Sequence, residues 1–309
     1  EGFGDYGFPE SHAASFALLV YDSAWLKCHE PAAFLAGLLN SLPMGFYGPS
    51  QLVQDAQRHG VEVRPPDVLH SDWDCTLEPD EARQPAVRLG LRLVAGLKEV
   101  SALRIVDARA RGPYRSTEDL ALRAGLDALD LKTLASADAL LSLSGHRRQQ
   151  VWDAAGLQAA PALLRGAPVH EELLELPEAP EGEEIVFDYA ATGLTLRRHP
   201  LALLRERLRA QRLLTSEELQ QLSDGRPARA CGLVVARQQP GTAKGVVFVT
   251  LEDETGTVQV IVWKALRDKQ RETLLRARLL AVHGTWQRQG AVCHLIAGHL
   301  EDLTPLLGR

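Results

Sequence analysis

Residues 245–263 read GVVFVTLEDETGTVQVIVW, two runs of β-branched and aromatic residues joined by a polar turn. Composition makes Val246 to Leu251 and Val258 to Trp263 strands. Gly256, after Thr255, is expected to supply a positive φ in the turn. Period-two parity puts Val247, Val249 and Leu251 on one face with Val258, Val260 and Val262, and that all-aliphatic face belongs to a core. Phe248 and Trp263 fall on the other face, where a flat apolar ring needs a partner.

Working outward, strands are expected at 230–237, 246–251, 258–263, 279–288 and 291–297, with a helix near 264–275 between the third and fourth. Five strands with a helix in that position match the order of an OB-fold barrel, whose second and third strands and neighbouring loops bind single-stranded nucleic acid. Phe248 and Trp263 are the expected base-stacking platforms, with Arg237 and Lys244 nearby for phosphates and Trp286 and Arg288 added from TWQRQG. The alternative for either platform ring is to close one end of the barrel.

Upstream the chain is helical. The stretch 12–29 is apolar all round and is expected to be buried, Pro31 opens a second helix, and Ser50 is the expected cap of a third that ends at Gly60. The fold class is therefore α+β and multidomain: mostly helical modules, then a five-stranded β-barrel. Between 166 and 196 there are eight acidic residues and no basic ones, with prolines at 168, 177 and 180, the texture of a linker.

The net charge of −6 hides alternating blocks. Residues 1–82 hold 3 Lys/Arg against 13 Asp/Glu, 83–165 hold 13 against 8, 166–225 hold 6 against 12, and 226–309 hold 12 against 7. Two basic blocks thus flank an acidic one, so the overall balance does not exclude a polyanionic partner.

Inside the first basic block, VAGLKEV (94–100) and LSGHRRQQ (143–150) each place a glycine turn before a helix, the pattern of a helix–hairpin–helix whose amides hold a phosphate without reading bases. Gly96 and Gly145 are the turn residues. Lys98 stands where a second glycine is usual, trading an open backbone for a cation. His146, Arg147 and Arg148 start the second helix, where amides and cations point the same way.

Cys28, Cys75, Cys231 and Cys293 form no CxxC pair, and the ten histidines form no HExxH, so no metal site is expected and a reducing cytoplasm is the simplest setting. No apolar run is long enough for a membrane span. The chain has no initial Met and no secretion-signal pattern, so it is expected to be a piece of a longer polypeptide.

The strings DYGFPESHAASFALLVYDSAWLKCHEPAAFLAGLLN (5–40) and PMGFYGPSQLVQDAQRHGVEV (43–63) resemble the late fingers region of bacterial C-family DNA polymerases. DYAATGLTLRRHPLALLR (188–205) and the run 237–263 continue the resemblance, which covers essentially the whole chain. Replicative members usually carry Asn-Lys before the Ser-His of the first motif. Pro9-Glu10 before Ser11-His12 is closer to the error-prone, mutasome-associated paralogue of the replicative DNA polymerase III alpha subunit.

The resemblance implies 1–82 as the C-terminal part of the fingers, 83–165 as the helix–hairpin–helix module, 166–225 as an acidic linker and helix, and 226–309 as the OB-fold. It implies DNA-directed synthesis in translesion synthesis and damage-induced mutagenesis, by metal-assisted phosphoryl transfer. The palm carboxylates and their Mg²⁺ lie outside this stretch, so no catalytic residue and no activity are expected here. Asp72 and Asp74 are read as structural. Ser11 and His12 are the expected nucleotide- or primer-proximal residues, and Glu10 is not given a phosphate role. Primer–template and single-stranded DNA are the implied partners, with a catalytically inert Y-family-like subunit of the mutasome. LQQLSDGRP (219–227) lacks the aromatic of a sliding-clamp peptide, so the clamp is expected to be reached indirectly. A non-enzymatic single-strand or tRNA-type binder, or a protein adaptor, built from the same modules is the other class.

Overall fold

The computed structural model describes residues 10–45, 48–79, 84–157 and 175–307, which form two compact units, 1–196 and 197–309. Residues 1–9, including Pro9, and the boundaries at 82/83 and 165/166 lie outside the described residues.

The first unit opens with α1 (Glu10–His29), α2 (Pro31–Asn40) and α3 (Pro49–Arg58). Pro31 sits in the first turn of α2, and Ala32, Leu35 and Leu39 pack on Val53, Val87 and Leu89. Expected burial of α1 is not realised within this chain: Phe16, Leu19, Tyr21 and Trp25 are exposed. A helix apolar on every side needs neighbours on every side, and α2 covers only part of it. Gly48, not Ser50, caps α3, because the helix begins at Pro49 and places Ser50 inside it, where its Oγ accepts from Gln54 at 3.2 Å.

A small sheet follows in the order β1–β3–β2, from β1 (Val63–Arg64), β2 (Thr76–Glu78) and β3 (Ala86–Arg88). Glu78 accepts from Arg64 and Arg88 at 2.7 and 2.8 Å across it. Asp72 accepts from Arg109 at 2.6 Å and Asp74 from Arg92 at 2.7 Å, so both carboxylates hold loops in place.

The remaining α-helices among the described residues of this unit are α4 (Glu99–Arg109), α5 (Thr117–Ala124), α6 (Ala128–Ser136), α7 (Leu141–Ser144), α8 (Arg147–Gly156) and α9 (Glu181–Thr192). Ser116 and Asp127 cap α5 and α6 with side-chain oxygens. Leu91, Val94, Ile105, Leu120, Leu134 and Leu140 make one apolar core beneath them. Helix α9 occupies sequence expected to be linker. Its acidic first turns are used, as Glu184 and Asp188 take an arginine of α8, and Ala191 packs on the core.

The second unit begins with α10 (Pro200–Ala210) and α11 (Ser216–Gln220), in the part of 166–225 expected to be helical. The barrel strands are β4 (Pro227–Gln238), β5 (Val247–Glu252), β6 (Thr257–Val262), β7 (Leu279–Gln289) and β8 (Val292–Asp302), with α12 (Lys264–Lys269) and α13 (Arg271–Arg276) between β6 and β7. They close in the order β4–β5–β6–β8–β7, with β6 and β8 parallel and the other pairs antiparallel. That is the OB-fold topology expected from the sequence. At Gly284 an added Cβ would lie 2.0 Å from the Ile296 carbonyl oxygen, so the β7–β8 bulge at His283/Gly284 requires glycine.

The opening hairpin pairs Phe248 with Ile261 and Val249 with Val260. Its turn differs from expectation in one respect: Gly256 does not have a positive φ. Asp253 organises the turn instead, accepting from the amides of Thr255 and Gly256 at 2.8 and 2.9 Å. Glycine is needed because a Cβ at 256 would meet the Ser216 hydroxyl at 2.7 Å, where α11 docks on the hairpin. Helix α10 is fixed to the same turn by Arg205, which donates to both carboxylate oxygens of Glu254 at 2.5 and 2.7 Å.

Candidate nucleic-acid interface

In the first hairpin, buried Leu97 anchors the turn while Gly96 and Lys98 are exposed. Gly96 has φ +88°, a conformation that favours glycine. Lys98 has φ −83° and ψ 142°, ordinary extended backbone, which is why the position tolerates lysine in place of a second glycine. The turn is braced from behind by Ala95, whose amide donates to the Ala191 carbonyl at 2.8 Å. The exposed start of α4 at Glu99 and Val100 and the Lys98 side chain therefore share one edge, a geometry suited to phosphate.

The second hairpin keeps its turn but not its cations. Gly145 has φ +72°, and His146 caps α8 by accepting from the Gln149 amide at 3.4 Å. Arg147 was expected at phosphate and is instead 3% exposed. Its Nη1 donates to Glu184 at 3.0 Å and its Nη2 to Asp188, with Asp138 at 3.9 Å. Three carboxylates from elsewhere in the unit draw the guanidinium inward, since a partly desolvated pair outweighs a hydrated cation only where the partners are already fixed. Arg148 is half-exposed and donates to Glu183 at 2.9 Å, which offsets its charge.

On the barrel, parity divides core from surface as expected. Val247, Val249, Leu251, Val258, Val260 and Val262 are buried, whereas Phe248, Thr250, Gln259 and Ile261 face outward. Trp263, at the end of this face, is 54% exposed. Lys244 is exposed in the β4–β5 loop with φ +47°.

Three other expected contacts point elsewhere. Trp286 is 1% exposed and fills the barrel core, on the same parity of β7 as the buried Leu280 and Val282. Arg237 is half-buried and donates to the carbonyls of Leu274, at 2.6 Å, and Ala277, at the end of α13. Burial alone pushes its guanidinium pKa down, because no carboxylate faces it. The Arg288 guanidinium donates to the Gln220 carbonyl, and its amide to Asp224 at 2.8 Å.

His12 is exposed and meets Phe16 edge-on at 4.5 Å, while the Ser11 side chain lies outside the described residues. Arg267 and Arg271 were passed over. They lie on α12 and α13, where the density of basic residues in KALRDKQRETLLRAR (264–278) was the available signal. Among the described residues no group of His, Cys, Asp and Glu is placed to hold a metal ion, and no helix is long and apolar enough to cross a membrane.

Comparison with known proteins meets this geometry at both modules. Residues 60–150 match a family model described as a helix-hairpin-helix motif, and residues 228–303 one described as an OB-fold nucleic acid binding domain. Error-prone DNA polymerases from Alkalilimnicola ehrlichii and Azoarcus sp. are 56% and 57% identical over 100% of this chain. That of Methylococcus capsulatus is 56% identical over 98%. Along its whole length this chain is homologous to error-prone DNA polymerases. It spans about 30% of the length of the relatives it matches. Among solved structures, asparaginyl-tRNA synthetase from Pyrococcus horikoshii overlaps 29% of this chain and 23% of its own, at 20% identity and a TM-score of 0.26, too slight an overlap to build on.

Proposed function

We propose that this chain is the nucleic-acid-holding portion of an error-prone DNA-directed DNA polymerase, gripping primer–template duplex through the hairpin module and single-stranded template on the outer face of the barrel. The observation that carries it is the match of the whole of this chain to about 30% of the length of those polymerases, with two nucleic-acid-binding module types in one chain. The hairpin edge of Gly96 and Lys98 supports sequence-independent phosphate contact, and the outward-facing, half-buried Phe248 and the exposed Trp263 support base stacking.

In this reading the nucleotidyl transfer of translesion synthesis is carried out by a Mg²⁺-dependent palm elsewhere in the polypeptide. The chain itself positions DNA. Leu219 is fully buried and Leu222 packs on the barrel core, so the stretch around Gln220 and Gln221 serves the fold and is not presented as a clamp peptide. That supports contact with the sliding clamp through a partner, a catalytically inert Y-family-like subunit.

The test is binding of a primer–template and of an unstructured oligonucleotide across a salt series. Affinity that falls steeply and log-linearly with salt supports the reading. Salt-insensitive association would favour a protein adaptor, and nucleotide incorporation by this chain alone would overturn the division of labour.

A further inference from the structure

A cavity of about 440 Å³ lies within the second unit, between the ends of β4 and β5 and helices α12 and α13. Its size is that of a small-ligand site. Arg237, Arg267 and Arg271 supply its cations, and Val247, Leu274 and Leu275 its apolar wall. Asp268 is the one carboxylate in the lining and is spent on Arg267, whose Nε and Nη2 donate to its Oδ1 at 2.8 and 2.7 Å. The third nitrogen of Arg267 donates to the Gly245 carbonyl at 3.0 Å, tying the β4–β5 loop to α12.

Two guanidiniums remain without an acidic partner. Arg237 uses Nε and Nη2 on the last carbonyls of α13, which holds the side chain rigid and leaves Nη1 for the cavity. Arg271 pairs with no described residue. A fixed, half-buried cation beside a free one, with no opposing carboxylate left, is matched by a dianionic or shared-oxygen anion. Of the apolar lining, Leu275 is exposed while Val247 and Leu274 sit in the barrel core behind it, so the wall offers one open apolar face for part of the same ligand.

We propose that this cavity seats one phosphate of a single nucleic-acid strand together with its nucleoside, the phosphate on Arg237 and Arg271 and the base or sugar against Leu275. The inference rests on the nucleic-acid reading of the barrel and adds a second contact to it, on the helix side.

The test uses the 309-residue chain. Arg271→Glu is compared with Arg276→Glu, the same charge change on the same helix at a residue that is not part of the cavity lining and already pairs with Glu272 at 2.7 Å. Affinity for oligo(dT) at low salt should fall about three- to ten-fold for Arg271→Glu, with the salt slope reduced by about 0.7, and hardly change for Arg276→Glu. Equal losses in both would reduce the effect to overall charge and overturn the proposal. Independently, amide and guanidinium NMR signals of Arg271, Leu274 and Leu275 should shift with thymidine 5′-monophosphate more than with thymidine. No shift with either would also overturn it. If oligo(dT) fails to bind the unmodified chain, the proposed function fails, and the monophosphate titration still decides the cavity.

Discussion

The barrel and the hairpin region were read from the same kind of signal, basic and aromatic residues beside a recognisable backbone pattern, and they answered differently. On the barrel, the two-residue repeat sorted six aliphatic side chains inward and left Phe248 and Trp263 at the surface. In the second hairpin, two adjacent arginines took opposite fates, Arg147 buried among carboxylates and Arg148 half-exposed. A strand's parity is enforced along its whole length by the ladder, whereas one residue on a short helix can be recruited by whatever charge packs against it. Charge in sequence therefore says less about surface than alternation does.

The comparison can be broken most forcefully at Arg147. Its replacement by Ala strands Glu184 and Asp188 and should destabilise the helical unit by about 3–5 kcal/mol, whereas Arg148→Ala should cost within about 1 kcal/mol. Thermal or urea unfolding measures both. A stable Arg147→Ala protein with weakened duplex binding would return Arg147 to the DNA.

Two tryptophans sharpen the barrel side. Trp286→Ala removes a core ring and should cost about 3–5 kcal/mol of stability with little change in single-strand affinity of the folded molecule. Trp263→Ala should do the reverse, lowering affinity about five-fold or more, since stacking contributes roughly 1–3 kcal/mol per base. Exchange of those two phenotypes would mean that parity had been misread.

Acid should act on the helical unit through Glu78. The hydrogen bond from Arg88, partly opposed by desolvation and reinforced by Arg64, holds its carboxyl down to about 2 from an ordinary 4.5. The folded value lies below the unfolded one, so its contribution is complete above about 4.5 and is lost as pH falls toward 2. Glu78→Gln should flatten the pH dependence of unfolding in that window, and an unchanged profile would remove Glu78 from the account.

The smallest effect belongs to Lys98. Lys98→Gln should weaken duplex binding equally on unrelated sequences and reduce the salt slope by about 0.9. A shift in sequence preference would mean that bases, not phosphates, are contacted at the first hairpin.

Much of this was legible before any coordinates. Strand alternation from 246 to 263, the helix between the third and fourth strands, and the glycine turns at 96 and 145 specified a barrel and two hairpins. These are local or near-local rules, in which side-chain period and allowed φ decide. What lay beyond reach were pairings over long separations. The acidic stretch read as linker became α9, because Glu184 and Asp188 meet an arginine about 40 residues upstream. Gly256 served close approach of Ser216 and not backbone φ. Trp286, by contrast, shares the inward parity of Leu280 and Val282, so its place in the core was a local signal in the strand itself.

The sequence by itself determined the two module types, their order and the two faces of the opening hairpin, since period and turn chemistry are written residue by residue. Only the tertiary structure decided which cations remain for a polyanion. Lys98, Lys244 and Arg271 stay at the surface, while Arg147 and Arg237 are engaged by carboxylates and helix-end carbonyls. Whether a charge is hydrated or neutralised depends on what the fold brings within hydrogen-bonding distance, and that distance is set by packing, not by position in the chain.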